Sequence, residues 1–143
     1  MKKYDYTNQM SADIIKIDAS TFKDITLAPD QLSLRMSAND SYEIFVKYSN
    51  NSPVGFIGIM YVNTPHYNGA WIDLIAVCPE EQGKGMAAFM ISYVKDYISD
   101  NRPDTEFISA LARSTNLPSL KAFKKEGFAN DGKGNFELLF CNL

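Results

Sequence analysis

The sequence predicts a mixed α/β (α+β) fold in which a mixed sheet is flanked by helices. Three observations predict it. Two strand-like runs, 42–48 and 54–62, are separated by a turn-rich stretch at 49–53, the pattern of an antiparallel pair. A third apolar run, 70–77, stops before Pro79 and leads through two glycines into a helix with apolar residues at i, i+3, i+4 and i+7. Beyond that helix a strand (107–111), a second helix (116–126) and a closing strand (135–140) alternate.

From the N-terminus onward, residues 4–7 fit a short first strand. Residues 11–22 carry Ile14, Ile15 and Ile17, which helix and strand templates fit about equally; the segment is read as a helix. Pro29 suits the first position of a short helix over 29–36. The long helix after the glycines presents Met86, Phe89, Met90, Tyr93, Val94, Tyr97 and Ile98 as its inward face, and Asn101-Arg102-Pro103 ends it. The second helix turns Leu117, Leu120 and Phe123 inward and stops at Gly127. Phe128 then packs, and the turn Asp131-Gly132-Lys133-Gly134 precedes the closing strand. No repeat, low-complexity tract or linker interrupts the chain, so residues 1–143 are expected to form one domain.

Bulk properties exclude several classes. A chain of 143 residues buries roughly 68–70% of its unfolded surface, enough for its own core. With 45% hydrophobic and 22% charged residues it is neither a disordered tail nor a fibrous repeat. A net charge of -3 and a pI near 5.1 give no chain-wide attraction to nucleic acid or anionic lipid, and lean towards a cationic partner such as an amine. Cys78 and Cys141 match no metal spacing; they are read as thiols in a reducing compartment, with a disulfide as the alternative. The N-terminus lacks the apolar stretch of a signal peptide. No apolar run approaches the ~20 residues of a membrane span, so a soluble, cytoplasmic protein is expected.

Function is carried by the segment Gln82-Gly83-Lys84-Gly85-Met86-Ala87. An apolar strand, a proline, a glycine turn and a helix N-terminus occur in that order, and together they meet the needs of an anion site. The first helical turn has unpaired N–H groups and the positive end of the macrodipole. Glycines at 83 and 85 let the backbone approach phosphate oxygens, and Lys84 adds a mobile charge. The plainer alternative is a tight strand-to-helix turn. A Walker A loop does not fit, because Lys84 is followed by Gly85 and no hydroxyl. A Rossmann fingerprint fits poorly: position 88 is Ala, and no acidic residue follows about 20 residues later at the end of a second strand.

The pattern Gln/Arg-x-x-Gly-x-Gly/Ala fits Gln82, Gly85 and Ala87, and here the sequence resembles the GNAT superfamily of N-acyltransferases. Trp71-Ile72-Asp73-Leu74-Ile75-Ala76-Val77-Cys78-Pro79-Glu80 looks like that family's fourth strand and its exit. Asn116-Leu117-Pro118-Ser119, followed by Ala122 to Phe128 with its Gly-Phe ending, looks like the second cofactor motif. The resemblance spans about residues 42–140. It implies a mostly antiparallel sheet splayed between its fourth and fifth strands, with acetyl-CoA as co-substrate and pantetheine lying in the gap like a missing strand.

By this resemblance, the backbone of Ile75, Ala76 and Val77 would line pantetheine. The N–H groups from Gln82 through Gly83, Lys84, Gly85, Met86 and Ala87 would hold the pyrophosphate. Asn116, Ser119 and Phe123 would approach from the other side. The implied reaction is attack of an amine on the thioester through a tetrahedral oxyanion, with the N–H of Ile75 as the expected oxyanion donor. Asp73 is the leading base; attraction of a cationic amine is its alternative role. Strand alternation places it with Trp71, Ile75 and Val77 on one face. Glu43 and Glu80 are weaker candidates, and His66 reads as an exposed loop residue.

At position 123 many family members have a tyrosine that protonates the leaving thiolate; here it is Phe123, which leaves Ser119 or water as donor. The resemblance implies a small-molecule or peptide amine as acceptor and a monomer or homodimer as the working unit. Acceptor choice would fall to residues 22–36 and 63–69. No metal, nucleic acid or membrane partner is expected. A CoA-binding regulatory module with little catalysis is the alternative.

Overall fold

The computed structural model of the chain describes residues 1–130. Strands β2 (Tyr42–Ser49) and β3 (Ser52–Asn63) form an antiparallel hairpin closed by Asn50 and Asn51, whose φ angles are 48° and 62°. Asparagine tolerates this left-handed backbone, which a two-residue hairpin turn of matching twist requires. β4 (Asn68–Val77) pairs antiparallel with β3, and β1 (Lys2–Lys3) pairs antiparallel with β2. β5 (Phe107–Ala110) adds in parallel to β4, so the described sheet runs β1-β2-β3-β4-β5.

Both faces of the sheet are covered, and the pleat decides which residues go where. Ile44, Val46 and Phe56 pack against α1 (Asn8–Thr21) and α2 (Pro29–Ser37) on one face. Phe45, Ile57 and Ile59 point the other way, into a second core with Met90, Ile91 and Val94 of α3 (Met86–Asn101). α4 (Leu117–Lys125) adds Ala122 and Phe123 to the edge of this second core.

Several expectations shift. Residues 4–7 form an approach to α1 rather than a strand. The Tyr4 N–H still bonds the Ile44 carbonyl at 2.8 Å, but its buried hydroxyl meets Ser11 Oγ at 2.5 Å, and Thr7 caps the helix by accepting from the Met10 N–H. The ambiguous segment 11–22 is helical, beginning at Asn8. Phe89 is 46% exposed and lies under Lys47 Nζ, while Ala88 and Ile91 are buried instead. At about 100° per residue, position 89 falls opposite the stripe formed by Ile91, Val94 and Ile98. Leu117, at the first turn of α4, is exposed rather than inward. The turn at 131–134, the closing strand at 135–140 and Cys141 lie outside the described residues.

One ion network ties the N-terminus to both ends of the second core. Glu43 is 9% exposed and accepts from Lys3 Nζ at 2.6 Å and from the Tyr61 hydroxyl at 2.5 Å; Arg102 lies 3.6 Å away. Burial pushes the Glu43 pKa up, but the hydrogen bonds from Lys3 and Tyr61 and the nearby charges outweigh it and hold the carboxyl below its ordinary value of 4.5. A carboxylate depressed in the folded state stabilises above its unfolded value, and that contribution is lost as pH falls through the folded value. Thermal melts are therefore expected to show Glu43→Gln less stable than the wild type at neutral pH, by about 1–3 kcal/mol. Below pH 4.5 the two melting curves should converge.

Candidate active site at the open edge of β4

β4 loses one of its two neighbours halfway along. Its parallel pairing with β5 covers Gly69 to Ile72, opposite Phe107 to Ala110, and among the described residues no strand follows it further on that side. At the same point the register with β3 slips: Gly58 faces Leu74 while Ile59 faces Ile72, so Asp73 is the extra residue of a β-bulge. The bulge reverses the alternation that the sequence predicts. Ala70 and Ile72 before it, and Ile75 and Val77 after it, all join the α3 core, whereas Leu74 and Ala76 join the α1 core. Trp71 therefore does not share a face with Ile75 and Val77, because one inserted residue changes the parity of everything after it.

The backbone beyond the bulge has a definite polarity. The Cys78 N–H bonds the Val54 carbonyl of β3 at 2.9 Å. N–H and C=O groups of successive strand residues alternate sides; the ladder therefore turns the polar groups of Ala76 to β3 and those of Ile75 and Val77 to the open edge. Ala76, with its side chain in the α1 core, faces away from the gap. The Val77 carbonyl accepts from Gln82 Nε2 at 2.9 Å, which ties the following loop to the strand end.

Asp73 is exposed and accepts a hydrogen bond from the Tyr42 hydroxyl at 2.8 Å. Tyr42 was not singled out in the sequence, yet Gly58 is its signature. A Cβ at 58 would collide with the Tyr42 hydroxyl and lie 2.9 Å from its Cζ, so the strand glycine marks a close approach by another group. Burial, and then the bond to Asp73, raises the Tyr42 pKa far above the ordinary tyrosine value, which keeps the phenol protonated as a donor. Glu43 is committed to Lys3, Tyr61 and Arg102 on the α3 face. Glu80 is exposed in the short 3-10 turn Pro79–Glu81, and His66 is exposed in the loop before β4.

After the 3-10 turn, Gly83 and Gly85 adopt φ of 76° and 79°, and α3 begins at Met86. A Cβ on either glycine would meet nothing within 4 Å, so both are needed for backbone conformation, with open space above them. No side chain caps α3, whose first bond runs from the Phe89 N–H to the Gly85 carbonyl. The amides of Met86, Ala87 and Ala88 are thus the orphan donors of a helix start. Lys84 pairs with Glu81 at 3.1 Å on the surface.

On α4, which packs against α3, Asn116 caps the helix by accepting from the Ser119 N–H at 3.3 Å. Phe123 is half-buried, its ring 5.1 Å from that of Phe128. The helix closes with Phe128 N–H on the Phe123 carbonyl, Gly127 N–H on the Lys124 carbonyl, and Gly127 at φ 86°. That is a Schellman ending with its apolar contact. Two of the concavities formed by the described residues adjoin the sheet. One, of about 630 Å³, lies by Tyr61 and Arg102, and none of its lining residues comes from the second half of β4. The other, of about 290 Å³, is lined by Tyr42 and Leu74 and so lies next to Asp73.

Residues 12–128 match the model of the acetyltransferase (GNAT) family. No curated protein matches the chain in sequence. Solved structures share the fold at low identity. An aminoglycoside acetyltransferase, meta-AAC0020, from an uncultured soil metagenomic sample aligns with TM-score 0.80 and 14% identity, covering 98% of this chain and 95% of the other. Aminoglycoside 6'-N-acetyltransferase AAC(6')-IG from Acinetobacter haemolyticus gives 0.73 and 13%, over 99% and 100%. Ribosomal-protein-alanine N-acetyltransferase from Brucella melitensis biovar Abortus 2308 gives 0.75 and 16%, over 99% and 98%.

The Tyr42–Gly58 contact is testable without any ligand. Gly58→Ala should destabilise by about 1–3 kcal/mol through overpacking, measured by denaturant unfolding. In a Tyr42→Phe background the cost should fall, since the nearest colliding atom is gone; strictly additive effects would show that the two residues do not meet.

Proposed function

The chain belongs to the acetyltransferase (GNAT) family, and we propose that it transfers an acetyl group from acetyl-CoA directly to a primary amine. One observation carries this reading: the outward-facing backbone of Ile75 and Val77 runs into an uncapped helix N-terminus with open space above Gly83 and Gly85. An extended, amide-bearing chain ending in a pyrophosphate matches that sequence of groups. Bound acetyl-CoA would supply the activated acyl group as a thioester.

The chain's own residues would do the rest. The Ile75 carbonyl and the Val77 N–H hold the pantetheine as an added strand. The N–H groups from Gly83 to Ala87 hold the pyrophosphate, the Gln82 N–H being taken by the Pro79 carbonyl, with Lys84 released from Glu81 to join them. Asn116 and Phe123 close the gap from the α4 side. Asp73 takes the proton from the attacking amine, directly or through a water. Tyr42 fixes the carboxylate by donating to one oxygen and leaves the other free for the proton. The Ile75 N–H donates to the thioester oxygen as negative charge develops there. Sulfur leaves as thiolate, and Ser119, one turn before Phe123 on α4, or a water donates a hydrogen bond to it.

Three measurements test the reading. Gly85→Val combines left-handed strain of about 1–2 kcal/mol with a side chain in the open space above the loop. It should weaken acetyl-CoA binding at least about tenfold by calorimetry, and unchanged affinity would refute the loop assignment. Asp73→Asn should lower kcat by roughly 10²–10⁴-fold, most at lower pH, with acetyl-CoA affinity kept; Tyr42→Phe should lower it less. A flat pH–rate comparison between Asp73→Asn and the wild type would leave Asp73 a positioning group. Phe123→Tyr should leave the rate of thiol release little changed, because a thiolate departs without an acid beside it; a clear gain would show that protonation of sulfur limits the rate. Acetyl-CoA binding with no thiol release for any amine would make the chain a CoA-binding module instead.

A further inference from the structure

We infer that the acceptor is a compact monoamine with an apolar body, seated in the cavity between α1, α2 and the sheet; this rests on the acetyl-transfer reading above. The cavity measures about 290 Å³, at the small end of ligand sites, which run from about 300 to 1,000 Å³. Its floor is Ile44, Phe56 and Leu74, and its walls include Ile25, Leu27 and Leu32. Tyr42 lines it as well; Asp73 lies outside the lining but adjoins Tyr42 through its hydroxyl and Leu74 along the chain. The amine is thus seated at Asp73, with its remaining atoms on the cavity side of Tyr42.

The walls are fixed in advance of binding. Asp18, 1% exposed on α1, accepts from the Asp24 N–H at 3.1 Å and the Ile25 N–H at 2.9 Å. These bonds pin the segment that carries Ile25 and Leu27 over the floor. A body that fills the space without polar groups leaves none unpaired, whereas a hydroxyl or ammonium set against Ile25, Leu27 or Leu32 lacks a partner. Of the polar lining residues, Asp24, Thr26 and Arg35 are exposed. Charge agrees with this count. Asp24 and Arg35 stand exposed at the cavity with opposite signs, and Asp73 adds one negative charge. Counted over the lining residues and Asp73 the surplus is a single carboxylate, which matches a single ammonium group; the Asp18 carboxylate behind the wall is spent on the N–H groups of Asp24 and Ile25. An aminoglycoside or a polyamine brings several ammonium groups, and a peptide brings a polar backbone.

The test uses the full chain with phenylethylamine, spermidine, an aminoglycoside and an alanyl peptide. Thiol release from acetyl-CoA is read for each, alongside calorimetric binding of each amine to protein saturated with CoA. Phenylethylamine should exceed the others at least about tenfold in kcat/KM and be the tightest binder. Leu27→Asp should raise its KM about tenfold while leaving acetyl-CoA affinity unchanged; Leu27 packs against the core, so Ile25→Thr serves if that variant does not fold. Preference for the aminoglycoside, the polyamine or the peptide, or indifference to both wall substitutions, overturns this inference while leaving acetyl transfer standing. Failure of acetyl-CoA to bind at all overturns both, and the calorimetry distinguishes the two cases.

Discussion

The loss of β5 as a partner at Ile72 is the constraint on which the rest of the site depends. A central strand satisfies its backbone on both sides, and an edge strand leaves a row of N–H and C=O groups that must find water, a cap or a ligand. β4 is both in turn. Its first half is central and carries Ala70 and Ile72 into the core; among the described residues its second half is an edge, with the backbone groups of Ile75 and Val77 turned to the open side. The edge keeps its shape because cores lie on both faces of it, with Phe56 and Ala76 on the α1 side and Ile57 on the α3 side. The Asp73 bulge sits at the junction. It sends one carboxylate towards Tyr42 while returning Ile75 and Val77 to the α3 core.

The loop that follows continues the same logic. Gln82 returns its side chain to the Val77 carbonyl, so the strand's last outward acceptor is used to anchor the turn. Gly83 and Gly85 then set the positive φ values that aim the first amides of α3 outward. Lys84 is half of an exposed pair with Glu81. Such pairs contribute at most about 1 kcal/mol, so an arriving anion competes for the lysine at little cost.

The sequence made the element order from Tyr42 to Gly127 legible, because long apolar periods and the glycine and proline punctuation set it. It did not make the faces of β4 legible, since a bulge adds a residue without leaving a mark in the pattern. The mark is in β3, where Gly58, the second of the strand's two glycines, admits Tyr42. Phe89 was misplaced for a different reason. It is as apolar as its neighbours, and its position opposite the buried stripe is compensated by Lys47 across its ring. The N-terminal strand was displaced by a capping choice: once Thr7 opens α1, Tyr4 serves as a buried plug on Ser11.

Position 123 bears on which proton matters most in the proposed reaction. The Phe123 ring rests on Phe128 and its carbonyl closes the Schellman ending of α4. An aromatic ring is all that this contact asks for, and a tyrosine would meet it equally well; the packing does not by itself explain a residue without a hydroxyl. The chemistry does. A thiol ionises near 8.5 and an alkylammonium near 10.4, by the values of cysteine and lysine side chains. Sulfur is therefore the better leaving group once the amine has lost its proton, and it departs as thiolate without a strong acid beside it. The proton that must move is the one on nitrogen. In the proposed reaction that would place the chemical demand on Asp73 and on the Tyr42 hydroxyl bonded to it, both at the junction where β4 parts from β5.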